Sequence, residues 1–228
     1  MIKHSAFALG ATLYMPATRP DIMDVVMGEK IQGLRSLVVC LEDAVAETDV
    51  QQGLSNLKNL LLGIEARGGR PSGGPILFVR PRDAAMAAVL NEWSLMRHVD
   101  GFVVPKLRLG NIREWQQAVT RNELMLMPTL ETPEVYDPGA MVELRSAMLE
   151  QLPGRIIALR IGGNDLMGCL GLRRSPAMTL YSTPMSYVIP MLCGVMGSAG
   201  FALTAPVFEQ LNSPQLLEQE LALDMAHG

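Results

Sequence analysis

Short apolar runs alternate with longer amphipathic segments along the whole chain, and this alternation restricts the fold more than any single motif. Two of the runs, 38–41 and 156–159, are continuously apolar, which is typical of parallel strands covered on both faces. Strands that alternate with helical patterns at this spacing predict βαβ units with right-handed crossovers. The seven predicted strands are Thr12–Ala17, Ser36–Asp43, Ile76–Pro81, Gly101–Lys106, Leu124–Glu131, Arg155–Gly163 and Phe201–Val207.

Helical patterns separate these strands and follow the last of them. The predicted helices are Asp21–Gln32, Asp49–Ala66, Ala84–Met96, Asn111–Thr120, Pro138–Glu150, Ser186–Met196 and Pro214–Met225. Two architectures fit this order, a (β/α)8 barrel and a doubly wound open sheet. The GxGxxG motif that would support a dinucleotide-binding open sheet is absent from the sequence. The placement of the polar residues favours the barrel, which we expect to form a single domain over residues 1–228.

The composition excludes several other classes of protein. The 228 residues are 49% hydrophobic and 18% charged, a balance typical of a folded domain with a buried core. A net charge of −4 gives no reason to expect a nucleic acid or an anionic membrane as a partner. Three cysteines without CxxC spacing indicate a reducing compartment. Because the first residues also lack the apolar core of a signal peptide, we expect a cytoplasmic protein.

The stretch from Ser175 to Phe208 contains no charged residue and is long enough to span a bilayer. Prolines interrupt it at positions 176, 184, 190 and 206. A helix exposed to lipid would struggle to satisfy the backbone groups that these prolines leave without partners. We therefore expect buried barrel elements in this stretch and no membrane partner.

Charged side chains come at the ends of five consecutive predicted strands. They are Glu42 and Asp43, Arg80, Lys106, Glu131 and Asp165. In a barrel the C-terminal ends of the strands meet on one face, and the catalytic site lies on that face. We therefore expect these side chains to form one common site.

Within this set, Glu131 and Asp165 are the pair that most clearly indicates a metal site. They end neighbouring predicted strands, which lie about 5 Å apart in a sheet, so both carboxylates are expected to reach one ion. No histidine or cysteine stands at the matching strand ends, and a site of hard oxygen ligands favours Mg²⁺, with Mn²⁺ as an alternative, over zinc. The competing interpretation is that each carboxylate caps a helix or pairs with Arg80 or Lys106.

The two basic residues have different expected roles. The planar fork of Arg80 suits both oxygens of a substrate carboxylate or enolate, and an ion pair with Glu42 or Glu131 is a second role that can coexist with the first. Lys106 could act as a Schiff-base lysine. An orienting ion pair with Glu42 or Asp43 is favoured, because neighbouring carboxylates keep the amine charged.

The remaining polar and glycine positions support this site. Glu42 and Asp43 are expected to face different directions, since successive side chains of a strand alternate, and one of them to reach the site through a metal-bound water. Gly162 and Gly163 allow the backbone to approach a ligand closely. Asn164 is expected at the same ligand-binding turn, and the alternative is an ordinary N-cap for a following helix.

Six short motifs in chain order resemble those of a known family. They are LYMPA (13–17), LEDAV (41–45), FVRP (78–81), VPK (104–106), TLET (129–132) and GGND (162–165). Together they resemble the strand-end motifs of the citrate lyase beta-subunit-like family, whose relatives include malyl-CoA and citramalyl-CoA lyases and the HpcH/HpaI aldolases. The segment ATLYMPATRPD resembles a branch found near tellurium-resistance and stress genes.

The resemblance implies a TIM-type barrel, a trimer, and Mg²⁺-dependent cleavage or formation of C–C bonds beside a carbonyl group. By motif, the family's metal ligands correspond to Glu131 and Asp165, and its substrate-carboxylate arginine corresponds to Arg80. The residues that match its supporting polar network are Glu42, Asp43 and Lys106.

The chain departs from the family pattern in three places. Gly10 stands where the family carries an arginine that helps to bind substrate or coenzyme A phosphates, and Ala17 replaces a motif glycine. Residues 132–134 read Thr-Pro-Glu, without the usual small-residue turn. The sequence ends at Gly228, where relatives continue into an eighth strand and a C-terminal lid. Seven strands can be placed, and the eighth strand and the lid are missing either genuinely or because a C-terminal tail is not given.

These observations predict a metal-dependent C–C bond lyase or aldolase. Its expected substrate is a small 2-oxo acid, or a hydroxy acid or its thioester, and the use of coenzyme A is left open by the position of Gly10. The rival interpretation is a barrel without catalysis that serves as a ligand-binding or assembly subunit. A third is an enzyme that uses the same ion on a phosphate ester or nucleotide sugar.

Overall fold

A computed structural model describes residues 4–210 and 212–227. Each of the seven predicted strands is present. Gly228, at which the sequence ends, lies outside the described residues. The strands are β1 (Thr12–Pro16), β2 (Ser36–Cys40), β3 (Ile76–Arg80), β4 (Gly101–Val104), β5 (Met125–Leu130), β6 (Leu159–Ile161) and β7 (Leu203–Thr204).

Helices alternate with these strands. They are α1 (Ile22–Val26), α2 (Val50–Ala66), α3 (Ala84–Asn91), α4 (Ile112–Ala118), α5 (Pro138–Gln151), α6 (Gly163–Cys169), α7 (Met185–Leu192) and α8 (Pro214–His227). The prediction omitted α6, because it continued the sixth strand through Gly163. In the structure that strand ends at Ile161 and the helix begins two residues later.

The chain divides into two compact units. Unit 1 comprises the chain up to Pro105 together with Arg113–Met127, and unit 2 comprises Lys106–Ile112 together with the chain from Pro128 onward. A single domain over the whole chain stays a prediction.

In unit 1 the strands pair in parallel, β1 with β2, β2 with β3, and β3 with β4. Every residue of β2 and β3 is buried, as the continuous apolar run at 38–41 predicts for a strand covered on both faces. Helix α2 presents Leu57, Leu61 and Ile64 to the core at helical spacing, and all three are buried. Full burial of one such side chain contributes about 1.5–3 kcal/mol, so this stripe holds α2 on the sheet.

In unit 2, β5 pairs in parallel with β6, and β6 with β7. Helix α5 begins where its sequence predicts, because Pro138 occupies the first turn and the Asp137 carboxylate accepts a hydrogen bond from the Gly139 N–H. Helix α8 is fastened by a buried ion pair between Arg174 and Glu220, and Glu220 also accepts the backbone N–H of Leu180 at 3.0 Å.

The charge-free stretch from Ser175 to Phe208 forms short elements. It contains a 3-10 turn at Leu180–Ser182, helix α7, a π-helical turn at Cys193–Gly197, and β7. Within residues 4–210 and 212–227, none of the helices has the length and apolar character needed to cross a membrane.

Candidate active site

In unit 1, an arginine and two carboxylates meet at the C-terminal ends of β2 and β3. Arg80 is the last residue of β3 and is 6% exposed. Its Nη2 lies 2.9 Å from the Glu42 carboxylate, which is also buried, and 3.5 Å from the Asp43 carboxylate. The predicted ion pair of Arg80 with Glu42 is therefore confirmed, and it balances two charges that would be costly to bury alone.

Glu42 and Asp43 differ in exposure, as expected of side chains that face different directions: the Glu42 side chain is buried and that of Asp43 is about half exposed. Strand β2 ends at Cys40, and the Leu41 N–H continues the ladder by one bond to the Arg80 carbonyl. The chain then turns, with the Val45 N–H donating to the Glu42 carbonyl. Alternation applies to extended strands only, so in this turn both carboxylates approach the same guanidinium group.

Arg82 holds the loop beside Arg80, and the sequence motifs did not single it out. Its Nη1 donates to the carbonyl oxygens of Leu41 at 3.3 Å and Val45 at 3.1 Å, and its Nη2 lies 2.7 Å from the Glu47 carboxylate. Arg82 thus holds both ends of the loop that carries Glu42 and Asp43. The available signal was the second arginine of Arg80-Pro81-Arg82, directly after the strand.

In unit 2, the central carboxylate is that of Glu131, which follows β5 and is 4% exposed. The backbone N–H of Lys106 donates to its Oε1 at 3.0 Å. On its other side lies Gly162, where an added Cβ would stand 2.3 Å from the Glu131 Cβ and 2.7 Å from its Oε2. The predicted close approach at Gly162 is therefore to the Glu131 side chain, and no side chain larger than hydrogen fits there.

The turn after β6 differs from its prediction in one respect. Gly162 is the N-cap of α6, so the alternative assignment of Asn164 as N-cap is wrong. Asn164 lies inside the first turn, and its Nδ2 donates to the Glu209 carboxylate at 2.6 Å. Gly163 packs closely, because a Cβ there would lie 3.0 Å from the Pro206 Cβ and 3.3 Å from Leu180.

Asp165 is exposed and lies in the first turn of α6. The β5–β6 register pairs Leu130 with Ile161, which sets Glu131 beside Gly162, one turn before Asp165. The positive end of the helix dipole favours an acidic residue at this position, whether or not an ion is bound. A separation of about 5 Å between the two carboxyl groups stays a prediction.

The donor set around Glu131 suits a hard cation with few protein ligands. In the described part of the chain, no group of three or more histidine, cysteine or acidic side chains could hold a metal ion. Zinc sites are usually closed by such groups, whereas Mg²⁺ commonly takes one or two carboxylates and completes its shell with water and substrate oxygens. Glu131 offers one such carboxylate, and Asp165 as a second ligand stays a prediction.

Comparison with known proteins assigns the family. The sequence description of the C–C bond lyases of the TIM-barrel fold matches residues 3–228. The chain belongs to this family. Its membership confirms the predicted relationship to C–C bond lyases with a TIM-type fold. No curated protein matches the sequence.

Solved structures confirm the TIM-type fold. RipC from Yersinia pestis is 17% identical, with a TM-score of 0.67 over 95% of this chain and 84% of that one. The lead(II) complex of malate synthase from Haloferax volcanii is 15% identical, with a TM-score of 0.74 over 95% and 67%. CitE from Mycobacterium tuberculosis, in complex with magnesium and acetate, is 16% identical, with a TM-score of 0.65 over 99% and 85%. A barrel of this type has eight strands, of which the described residues contain seven.

Proposed function

We propose that this member of the C–C bond lyase family is a Mg²⁺-dependent lyase or aldolase that acts on a small 2-oxo or hydroxy acid or its coenzyme A thioester. The observation that carries the proposal is the restraint on the buried Glu131 carboxylate. The Lys106 N–H donates to one side of it, and Gly162, which has no side chain, packs closely against the other side. Burying a charged group costs free energy, and holding it in one orientation is what a ligand-binding site requires.

Glu131 and Asp165 are the proposed metal ligands. When bound, the cation would supply Lewis-acid stabilisation of the enolate that C–C cleavage leaves. Asp165 stands in the first helical turn, where its charge is favoured. The magnesium complexes of two similar folds, CitE with acetate and the Haloferax malate synthase with glyoxylate, support a carboxylate or 2-oxo acid beside this ion.

Arg80 is the proposed group for the substrate carboxylate. Its ion pair with Glu42 fixes the plane of the guanidinium group, and a fixed planar fork matches the two oxygens of a carboxylate. Arg82 supports this role by holding the loop that carries Glu42.

We also propose a cytoplasmic homo-oligomer, a trimer by family resemblance. The charge-free stretch exposes large apolar side chains, with Met178, Tyr187 and Val207 at 44%, 54% and 49% exposure. Contact between copies would remove this surface from water.

A thermal-shift screen tests the function. The protein is titrated with Mg²⁺ alone and then with oxaloacetate, pyruvate, glyoxylate and acyl-CoA thioesters, since a ligand of the folded state raises the apparent stability. We expect stabilisation by Mg²⁺, further stabilisation by one of the acids, and turnover of that acid. Loss of the acid response in Arg80→Lys, with the Mg²⁺ response kept, would support the arginine role. No response to Mg²⁺ would contradict the proposal.

A second candidate is a ligand-binding or assembly subunit without catalysis. It is favoured by Gly10, which has a φ of 57° and where an added Cβ would lie 2.8 Å from Arg35 Cδ. The arginine that relatives carry at this position would be strained here. The same screen separates the two candidates, because a binding subunit would respond to ligand without any turnover.

A further inference from the structure

Lys106 has an unusual backbone conformation. Among the described residues it is the one non-glycine residue with a positive φ, at 49°. Side chains of L-residues are strained in this left-handed region, and lysine has no short polar group that relieves the strain locally. The surrounding structure must therefore hold Lys106 in place.

Asn111 supplies part of that restraint. Its Nδ2 donates to the Lys106 carbonyl at 3.0 Å, and its Oδ1 accepts the Arg108 N–H at 2.9 Å. The Asn111 N–H in turn donates to the Arg108 carbonyl at 3.1 Å. The Asn111 side chain thus binds the backbone of this turn at two points, Lys106 and Arg108.

The conformation at Lys106 has a consequence for Glu131. The Lys106 N–H donates to Glu131 Oε1 at 3.0 Å, while Gly162 leaves room for the same carboxylate on its other side. The next residue is anchored separately, because the Leu107 N–H donates to the Thr129 carbonyl at 3.3 Å. With the turn after Lys106 held in this way, rotation about the Lys106 N–Cα bond changes the direction of the Lys106 N–H relative to that turn. Two hydrogen bonds therefore connect Asn111 to the proposed metal ligand, one to the Lys106 carbonyl and one from the Lys106 N–H to Glu131.

We infer that Asn111 is a positioning residue for the Glu131 carboxylate, and that it acts through the left-handed backbone at Lys106. The link from Asn111 to Glu131 is a property of the metal-free protein. Its effect on Mg²⁺ affinity rests on the proposed function. The competing explanation is that Asn111 only stabilises its own turn.

The first experiment measures hydrogen exchange at the Lys106 amide in the metal-free, full-length protein. Loss of a hydrogen bond to a charged acceptor raises exchange by about tenfold or more, and we expect this in Asn111→Ala. Asn111→Asp keeps the acceptor for the Arg108 N–H and removes the donor to Lys106, so it should raise exchange equally. Exchange at the parent rate in both variants would overturn the inference.

Asn56→Ala is the matched control. Asn56 makes the same kind of contact elsewhere, from its Nδ2 to the Ala17 carbonyl at 3.0 Å. Its removal should leave exchange at Lys106 unchanged. If it raises that exchange as much as Asn111→Ala does, the effect is a general loosening of the fold, and the inference is wrong.

The second experiment is a glycine rescue, read as Mg²⁺ affinity by calorimetry. Glycine adopts positive φ without strain, so Lys106→Gly removes the need for Asn111. We expect Asn111→Ala to weaken Mg²⁺ binding about tenfold in the parent, and less than about twofold when Lys106→Gly is also present. Equal losses in the two backgrounds would refute the backbone route.

The two proposals fail in different ways. Absence of Mg²⁺ binding to the parent protein would contradict the proposed function, while the exchange experiment would still decide the role of Asn111. If the parent protein binds Mg²⁺ and exchange at Lys106 is unchanged in Asn111→Ala, the proposed function stands and the role of Asn111 is contradicted.

Discussion

Gly162→Ala tests whether the Glu131 carboxylate is held as tightly as the structure indicates. The new Cβ would stand 2.3 Å from the Glu131 Cβ, whereas carbon atoms in contact lie about 3.5–4.0 Å apart. The glycine has a negative φ of −84°, so the substitution adds no left-handed strain. Its effect therefore measures the contact with Glu131.

The magnitude follows from overpacking. Forcing an extra carbon atom into a packed site lowers the free energy of unfolding by about 1–3 kcal/mol. Replacing glycine by alanine also reduces the conformational entropy of the unfolded chain, which offsets about 0.4–1 kcal/mol of this loss. We expect the free energy of unfolding to fall by about 1–2 kcal/mol, which lowers the melting temperature by about 2–8 °C for a chain of this size. Urea unfolding followed by circular dichroism gives the free energy, and calorimetry gives the loss of Mg²⁺ affinity as the carboxylate shifts.

Two controls make this result specific. Gly168 lies in the same helix α6, and an added Cβ there meets nothing within 4 Å, so Gly168→Ala should stabilise the protein by about 0.5–1 kcal/mol. Glu131→Gly removes the atom that clashes, so Gly162→Ala should cost far less in that background. A Gly162→Ala variant as stable as the parent, with unchanged Mg²⁺ affinity, would refute the geometry proposed for Glu131.

Three further predictions follow from the described contacts. Asp165→Asn should lose the stabilisation by Mg²⁺, which reaches about 2.7 kcal/mol at 100 times Kd, and equal thermal shifts in parent and variant would exclude Asp165 as a ligand. Burial raises the pKa of the Asp224 carboxyl, which accepts a hydrogen bond from Tyr181. Because the folded-state pKa lies above the unfolded one, this group favours folding below the unfolded pKa, and that contribution is lost as the pH rises through the folded pKa. Asp224→Asn should therefore raise the free energy of unfolding at neutral pH more than at acidic pH, and urea titrations showing the same change at both would contradict this. Static light scattering should give a mass of several 24.8 kDa chains, and a clean monomer at micromolar concentration would contradict the oligomer.

The sequence contained enough information for the strands because their signal is local. The β2 and β3 runs are continuously apolar and fully buried, and the charged residue after each run marks its end. The same signal placed Arg80 beside Glu42, since Arg80 ends β3 and Glu42 follows the end of the neighbouring β2. Hydrophobic pattern and strand order therefore predicted the fold and the unit 1 cluster.

Side-chain direction after a strand end was not predictable from the same pattern. Glu42 and Asp43 lie in a turn whose course depends on Arg82, a contact about 40 residues away in the chain. The left-handed conformation of Lys106 is held by Asn111. The residue type did not predict it, because lysine rarely adopts a positive φ. Helix α6 was missed because glycines at 162 and 163 are poor helix formers.

The ion pair of Arg174 with Glu220 couples two parts of unit 2 during local opening. Glu220 lies on α8 and bonds both the Arg174 side chain and the Leu180 backbone, about 40 residues earlier. If α8 detached alone, the buried arginine would lose its counter-charge, at a cost of about 3–5 kcal/mol. The segment from Arg174 to Leu180 and helix α8 should therefore open and close together, as one cooperative unit of the native-state ensemble.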